Sequence, residues 1–93
     1  IDVAVLVMGN NNVGYASRIV NDLRNAEIAT VSYLDTDKKF KNQIEYADKI
    51  GAKYAAIIGD DEANANLIAL KDMKSGNQET LSVADAIKKI KVK

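Results

Sequence analysis

The 93-residue sequence contains no cysteine, histidine, tryptophan or proline. Without cysteine it has neither disulfides nor thiolate chemistry, and we expect a cytoplasmic protein. Without histidine it lacks the commonest general base and the commonest metal ligand. The tyrosines have no histidine partner, and no serine or threonine has an obvious base. We therefore expect the isolated chain to be non-catalytic and to hold no cofactor or metal of its own.

Neither sign of charge is in excess, because 13 basic residues balance 13 acidic ones. A nonspecific nucleic-acid binder is usually basic overall, so this balance disfavours that class but still allows a local basic patch. The longest apolar run, Val3 to Met8, is far too short to span a membrane. The chain opens on this run without an initiator methionine, and we expect residues 1–93 to be one domain cut from a longer polypeptide.

Strand and helix patterns alternate in the first part of the chain. Asn12 and Asp37 stand at N-cap positions and Gly51 at a C′ position. The predicted elements are a buried strand at 2–8, a helix at 12–26, a strand at 28–34, a helix at 38–52 and a strand at 54–58.

The second part of the chain predicts a hairpin and a final helix. An acidic turn at 59–62 is followed by residues 63–66, which are ambiguous and compatible with one helical turn. Strands at 67–73 and 78–81 flank a turn at 74–77, and Ser82 with Asp85 resembles a capping box for the last helix. The order predicts an α/β, three-layer fold with a mixed five-stranded sheet: three parallel strands, an antiparallel hairpin and about three helices.

The polar loop after the first strand, Gly9 to Gly14, has the glycine spacing of a phosphate loop. Tyr15 and Ala16, however, stand where that loop needs Lys and Ser or Thr, so a polar turn is favoured over a mononucleotide site. Ligands of open α/β sheets bind at the carboxyl ends of the strands. Asn10 and Asn11 are therefore candidates for amide contacts to bases, and Tyr15 is a candidate for stacking.

An acidic run, Asp60-Asp61-Glu62, follows the third predicted strand. Adjacent carboxylates suggest a metal or phospho-acceptor site, but a receiver-like domain would carry paired acids after its first strand. A solvated turn, or acids matched to the dipole of a helix start, is the favoured interpretation.

The helix predicted at 38–52 carries three lysines in its first turn, where the helix dipole favours negative charge. The pairs Lys41–Glu45 and Glu45–Lys49 are typical of a solvated helix face. That interpretation accounts poorly for Lys38 and Lys39. Lys39 and Gln43 fall beside the apolar arc, where a charge and an amide can bind a phosphate and read a base edge. Spacing alone leaves the solvated face and the RNA contact open.

Residues 41–52 resemble a known signature, Leu-Lys-x-Gln-x-x-x-Ala-Asp-Lys-x-Gly-Ala, of the anticodon-binding domain of histidyl-tRNA synthetases. In this sequence they read Lys-Asn-Gln-Ile-Glu-Tyr-Ala-Asp-Lys-Ile-Gly-Ala, after Phe40 in place of the leucine. The similarity continues through residues 57–62, residues 71–78 and Tyr15-Ala16. The sequence departs from the family at Asn42, where many members are basic, and at residues 35–37, where a glycine is frequent.

The resemblance implies the C-terminal domain of a homodimeric class II ligase that holds the histidine tRNA, tRNA(His), by its anticodon loop. A separate catalytic domain would use ATP and Mg to activate histidine. By position, Lys41 and Gln43 match the family's Lys and Gln, and Lys38 and Lys39 are expected to add phosphate contacts. Neither a membrane nor DNA is an expected partner.

Two rival functions stay open. One is a regulatory or dimerisation module of a synthetase paralogue that does not aminoacylate, with the apolar edge of the hairpin at 67–81 as its contact. The other is a small-nucleotide binder at the first strand–helix junction, which the missing Lys and Ser or Thr disfavour.

Overall fold

The structure is a computed structural model that describes residues 1–33 and 40–91, except for the side chains of Asn10 and Phe40. In these ranges the elements are β1 (Val3–Val7), α1 (Val13–Asn25), β2 (Thr30–Tyr33), α2 (Phe40–Lys49), β3 (Tyr54–Ile58), α3 (Asp60–Ala65), β4 (Ile68–Asp72), β5 (Gln78–Leu81) and α4 (Val83–Lys91). A 3-10 turn at Asn10–Asn12 leads into α1. None of the helices in these ranges is long and apolar enough to cross a membrane.

The strands form one five-stranded sheet in the order β2-β1-β3-β4-β5. β1 pairs in parallel with β2 and β3, and β4 and β5 continue the sheet as an antiparallel hairpin. The predicted mixed sheet is therefore confirmed. The helix count is close to the predicted three, since α3 forms as an additional short helix at the acidic turn.

Successive side chains of β1 point to opposite faces of the sheet, so the strand contributes to the core on both faces. Val3, Val5 and Val7 pack beneath α1 and α4, and Ala4 and Leu6 pack on the face that α2 covers. The α2 face is rich in alanine, and these small side chains let the helix lie close to the strands. The three-layer arrangement follows from helices on both faces.

The helices α1 and α2 both end in a Schellman motif, in which the residue after the helix has a left-handed backbone conformation. At α2, Gly51 has φ +74°, its N–H donates to Asp48 O, and the N–H of Ala52 donates to Ala47 O, both at 3.1 Å. This confirms Gly51 as the C′ glycine. At α1 the equivalent position is Glu27, with φ +64°. The predicted N-cap of α2, Asp37, lies outside the described residues.

The hairpin turn and the start of α4 follow the sequence prediction. Asp72 Oδ1 accepts hydrogen bonds from the N–H groups of Lys74 and Ser75, at 2.9 and 3.1 Å. Ser82 Oγ accepts the N–H of Asp85 at 3.2 Å, as expected of an N-cap.

The hairpin does not offer the apolar edge that one rival function needs. The apolar side chains of β4 are buried in the core, and the edge strand β5 exposes the polar residues Gln78, Glu79 and Thr80. Polar side chains on an edge strand discourage pairing with another chain.

Candidate nucleic-acid interface

The carboxyl ends of β1 and β3 lie side by side at one edge of the sheet. The chain leaves β1 towards α1 on one face and leaves β2 towards α2 on the other, so the strand order reverses between β1 and β3. Such a switch point is where open α/β sheets bind ligands. We therefore take the loops that follow these two strands, together with the start of α2, as the candidate site.

Asn12 connects the loop after β1 to the loop after β3 by hydrogen bonds. Its side chain is 3% exposed, and Nδ2 donates to Met8 O at 2.7 Å and to Asp60 Oδ1 at 2.8 Å. Asn12 is the N-cap residue of α1, as predicted, but its side chain makes no capping hydrogen bond. The reason is that the amide is already engaged with the β3–α3 loop. The loop of β1 and the start of α3 are thus held as one surface.

Gly59 begins the second loop and is closely packed. Its N–H donates to Glu62 Oε1 at 2.8 Å, which caps the start of α3. A Cβ at this position would lie 3.1 Å from Glu62 Oε1 and 3.2 Å from Met8 Cε. The two loops therefore pack closely at Gly59, and the acidic run forms the first turn of α3.

A hollow of about 540 Å³ opens beside these loops. It lies over β3, β4 and β5, on the face of the sheet that α2 also covers. Its volume lies within the range of about 300–1,000 Å³ that is typical of small-ligand sites. Ile57 and Ala69 form an apolar floor, and carboxylate, amide and hydroxyl groups surround it. The lining residues are Met8, Ile57, Gly59, Asp60, Asp61, Glu62, Ala69, Gln78 and Thr80.

The hollow was not predicted from the sequence, where the acidic run suggested a metal or phospho-acceptor site, a solvated turn or acids matched to the dipole of a helix start. The signal that could have found it is the register Ala69↔Thr80, which places residues of the hairpin beside Ile57. Among the described residues no cluster of three or more His, Cys, Asp or Glu side chains is arranged to hold a metal ion.

Of the predicted lysines, the structure describes Lys41, which lies exposed in the first turn of α2. Lys38 and Lys39 lie outside the described residues. Asn11 is exposed beside Asp60, with Nδ2 3.5 Å from Oδ1, and the side chain of Asn10 is not described. Lys41 and Asn11 are accordingly the predicted polar side chains that the structure presents at the surface of the site.

Gln43 points inward, which differs from the expectation that it reads a base edge. It is 1% exposed, Oε1 accepts the N–H of Val7 at 3.1 Å, and Nε2 donates to Val7 O at 3.0 Å. Reading a base would require breaking both bonds inside the core. In this structure Gln43 joins α2 to β1.

Tyr15 is half-buried against the α1 and α4 layer, where its hydroxyl donates to Leu67 O at 2.9 Å. Burial raises the pKa of Tyr15, and the guanidinium of Arg18 lies 5.8 Å from the ring centroid. The hydroxyl therefore holds α1 to the start of the hairpin. Stacking of a base on Tyr15 stays a prediction.

Comparisons with known proteins agree on one family. The family model described as "Anticodon binding domain" matches residues 2–93. A histidine–tRNA ligase of Finegoldia magna is 45% identical over 76 residues, which are 82% of this chain and 17% of that protein. One from Clostridium tetani is 36% identical over 95% of this chain and 20% of its own length. The chain thus spans about a fifth of the curated relatives.

Solved structures support the same assignment. Histidyl-tRNA synthetase from Nostoc sp. PCC 7120 superposes with a TM-score of 0.90 and 31% identity, covering 97% of this chain and 21% of that one. The RNA binding domain of threonyl-tRNA synthetase from Cryptosporidium parvum Iowa II has the same fold, with a TM-score of 0.90, 20% identity, and coverage of 96% of this chain and 22% of that one. The chain belongs to the anticodon-binding domain family.

Proposed function

We propose that the chain binds the anticodon loop of tRNA(His) and positions this tRNA for aminoacylation by a catalytic domain elsewhere in the same polypeptide. The observation that carries the proposal is the family match over nearly the whole chain. The choice of histidine is supported by the relatives, which are histidine–tRNA ligases. The use of ATP and Mg by a catalytic domain, a homodimeric parent and a cytoplasmic location belong to the same proposal.

The hollow is the place where we propose that an anticodon base enters. Sequence-specific RNA recognition uses unstacked bases whose Watson–Crick edges meet side chains. The histidine anticodon, GUG, begins and ends with guanine, and the Watson–Crick edge of guanine carries adjacent N–H donors. An ionised carboxylate accepts two such bonds, and Asp61 offers one at the rim of the hollow. Ile57 and Ala69 would support the base from below.

Lys41 is the described candidate for a phosphate contact, since it is exposed at the start of α2. Lys38 and Lys39 precede it directly in the sequence and would extend the contact. Phosphate contacts fix the position of an RNA, and base contacts specify its sequence. In the proposed complex Lys41 therefore fixes the position of the RNA, and Asp61 recognises the base.

The test is a titration of the tRNA(His) anticodon stem-loop with the wild type, Lys41→Ala and Lys88→Ala at several salt concentrations. Lys88 is also exposed and sits on α4, so its replacement is a matched loss of one charge. We expect Lys41→Ala to weaken binding and to flatten the slope of log K against log salt by about 0.7. We expect Lys88→Ala to change neither. Failure of the wild type to prefer this stem-loop over unrelated hairpins would refute the function, and equal behaviour of the two variants would refute the place of Lys41.

A further inference from the structure

We propose that Gln43 is a positioning residue of the anticodon site: its side-chain amide binds the backbone of Val7 and thereby fixes the start of α2, with Lys41, to the end of β1. This inference rests on the proposed function, and it assigns a role to a residue that makes no contact with RNA itself. It is carried by the hydrogen bonds and the burial of Gln43.

Val7 is the last residue of β1, and it is buried in the core. A buried backbone N–H or C=O group without a hydrogen-bond partner is costly. Both groups of Val7 are bound by the side chain of Gln43.

The side-chain amide of Gln43 has the hydrogen-bonding groups of a peptide unit. A glutamine side chain carries a carbonyl oxygen and an NH₂ group, which are the acceptor and the donor of a peptide unit. Oε1 accepts from Val7 N at 3.1 Å while Nε2 donates to Val7 O at 3.0 Å. Gln43 therefore makes the pair of bonds that a neighbouring strand would make.

The attachment between Gln43 and Val7 lies directly beside the candidate site. Gln43 lies in the first turns of α2, two residues after Lys41, and Val7 directly precedes the Met8–Asn12 loop. The amide is 1% exposed, so water cannot substitute easily for either bond. The lysine of α2 and the loop of β1 thus share one rigid attachment, which sets their separation.

The test is a double-mutant cycle of stem-loop affinity with Gln43→Met, Lys41→Ala and the double variant. Methionine has a similar length but offers no amide. If Gln43 acts by placing Lys41, each single change weakens stem-loop binding by about three- to ten-fold. The double variant then has the same affinity as the single variant that binds less tightly. Additive effects would overturn the proposal. Gln43→Glu, which keeps the acceptor for the Val7 N–H, replaces Gln43→Met in the cycle if that variant does not fold.

A general loss of stability is separated from positioning by Val20→Ala, which removes buried atoms from α1 on the other face of the sheet. We expect this control to keep the wild-type affinity while it is folded. Amide hydrogen exchange gives a readout without RNA: the N–H of Val7 should be protected in the wild type and in Val20→Ala but exchange faster in Gln43→Met. Unprotected Val7 in the wild type would overturn the attachment, whereas a wild type that binds no stem-loop would refute the proposed function instead.

Discussion

Two buried amide side chains, Gln43 and Asn12, hold the carboxyl ends of the strands together. Gln43 joins α2 to β1, and Asn12 joins the β1 loop to the start of α3 through Asp60. Both pair their amide groups with the polar groups of loops and strand ends, which burial would otherwise leave unsatisfied. At the scale of single residues, the candidate site is therefore held together by buried polar side chains.

Glu27 is a residue whose backbone conformation favours glycine. It has φ +64° at the end of α1, where the N–H of Ile28 donates to Leu23 O at 3.1 Å, as the corresponding bond does after Gly51 in α2. A non-glycine residue in the left-handed region costs about 1–3 kcal/mol, which exceeds the roughly 0.5–1 kcal/mol that glycine loses in chain entropy. We predict that Glu27→Gly raises the free energy of unfolding by about 1 kcal/mol.

Urea denaturation of Glu27→Gly beside Gly51→Ala checks this prediction. Gly51 occupies the equivalent place with φ +74° and open space around a Cβ, so its replacement isolates the backbone cost. The two variants should shift the unfolding midpoint in opposite directions. A lower midpoint for Glu27→Gly would contradict the prediction.

At the scale of elements, the spacing of hydrophobic residues and the cap residues were sufficient to locate the five strands and three of the helices. The exception is α3, which has only six residues and none buried, so no apolar face signals it. The pattern Gly59-x-x-Glu62 is a local capping signal, and the three acids match the dipole at the start of the helix. A helical wheel also could not show the role of Gln43, because that role depends on hydrogen bonds to Val7, a residue of another element.

The β4–β5 turn is an element whose stability depends on pH. The N–H groups of Ser75 and Lys74 donate to the exposed carboxylate of Asp72 and hold the pKa of Asp72 below its ordinary value. A carboxyl whose pKa is lower in the folded state adds stability above its unfolded pKa, near 4, and loses it as pH falls through the folded pKa. We predict that the wild type exceeds Asp72→Asn in stability at about pH 6 and that the difference shrinks as pH falls through the folded pKa of Asp72.

Thermal melts of both proteins across this pH range test the prediction, with Asp48→Asn as a control. Asp48 is exposed on α2, and its replacement makes the same change in charge. A stability difference for Asp72→Asn that stays constant with pH would show that the charge of the carboxylate is not the cause.

On the scale of the whole molecule, acids and bases are mixed at both ends of the sheet. The acids of α3 lie at the carboxyl ends of the parallel strands with the described Lys41, and at the opposite end Lys53 lies 3.8 Å from Asp2 and Lys74 adjoins Asp72. An RNA that approaches such a mixed surface gains little from general attraction. Recognition at the candidate site must therefore depend on base contacts and on a few well-placed lysines.

This distribution predicts that affinity follows the anticodon sequence more closely than the charge of the RNA. Changing the anticodon from GUG to AUA in the same stem-loop alters no phosphate but removes the adjacent N–H donors of both guanines. We expect a loss of about ten-fold or more in affinity, because a matched pair of base contacts contributes about 1–3 kcal/mol of discrimination.

In Asp61→Asn this preference for GUG should shrink, since an amide cannot accept both bonds. Asp85→Asn, an equal change in charge at the start of α4, should keep it. Equal binding of the two stem-loops by the wild type, or an unchanged preference in Asp61→Asn, would show that the hollow does not read guanine.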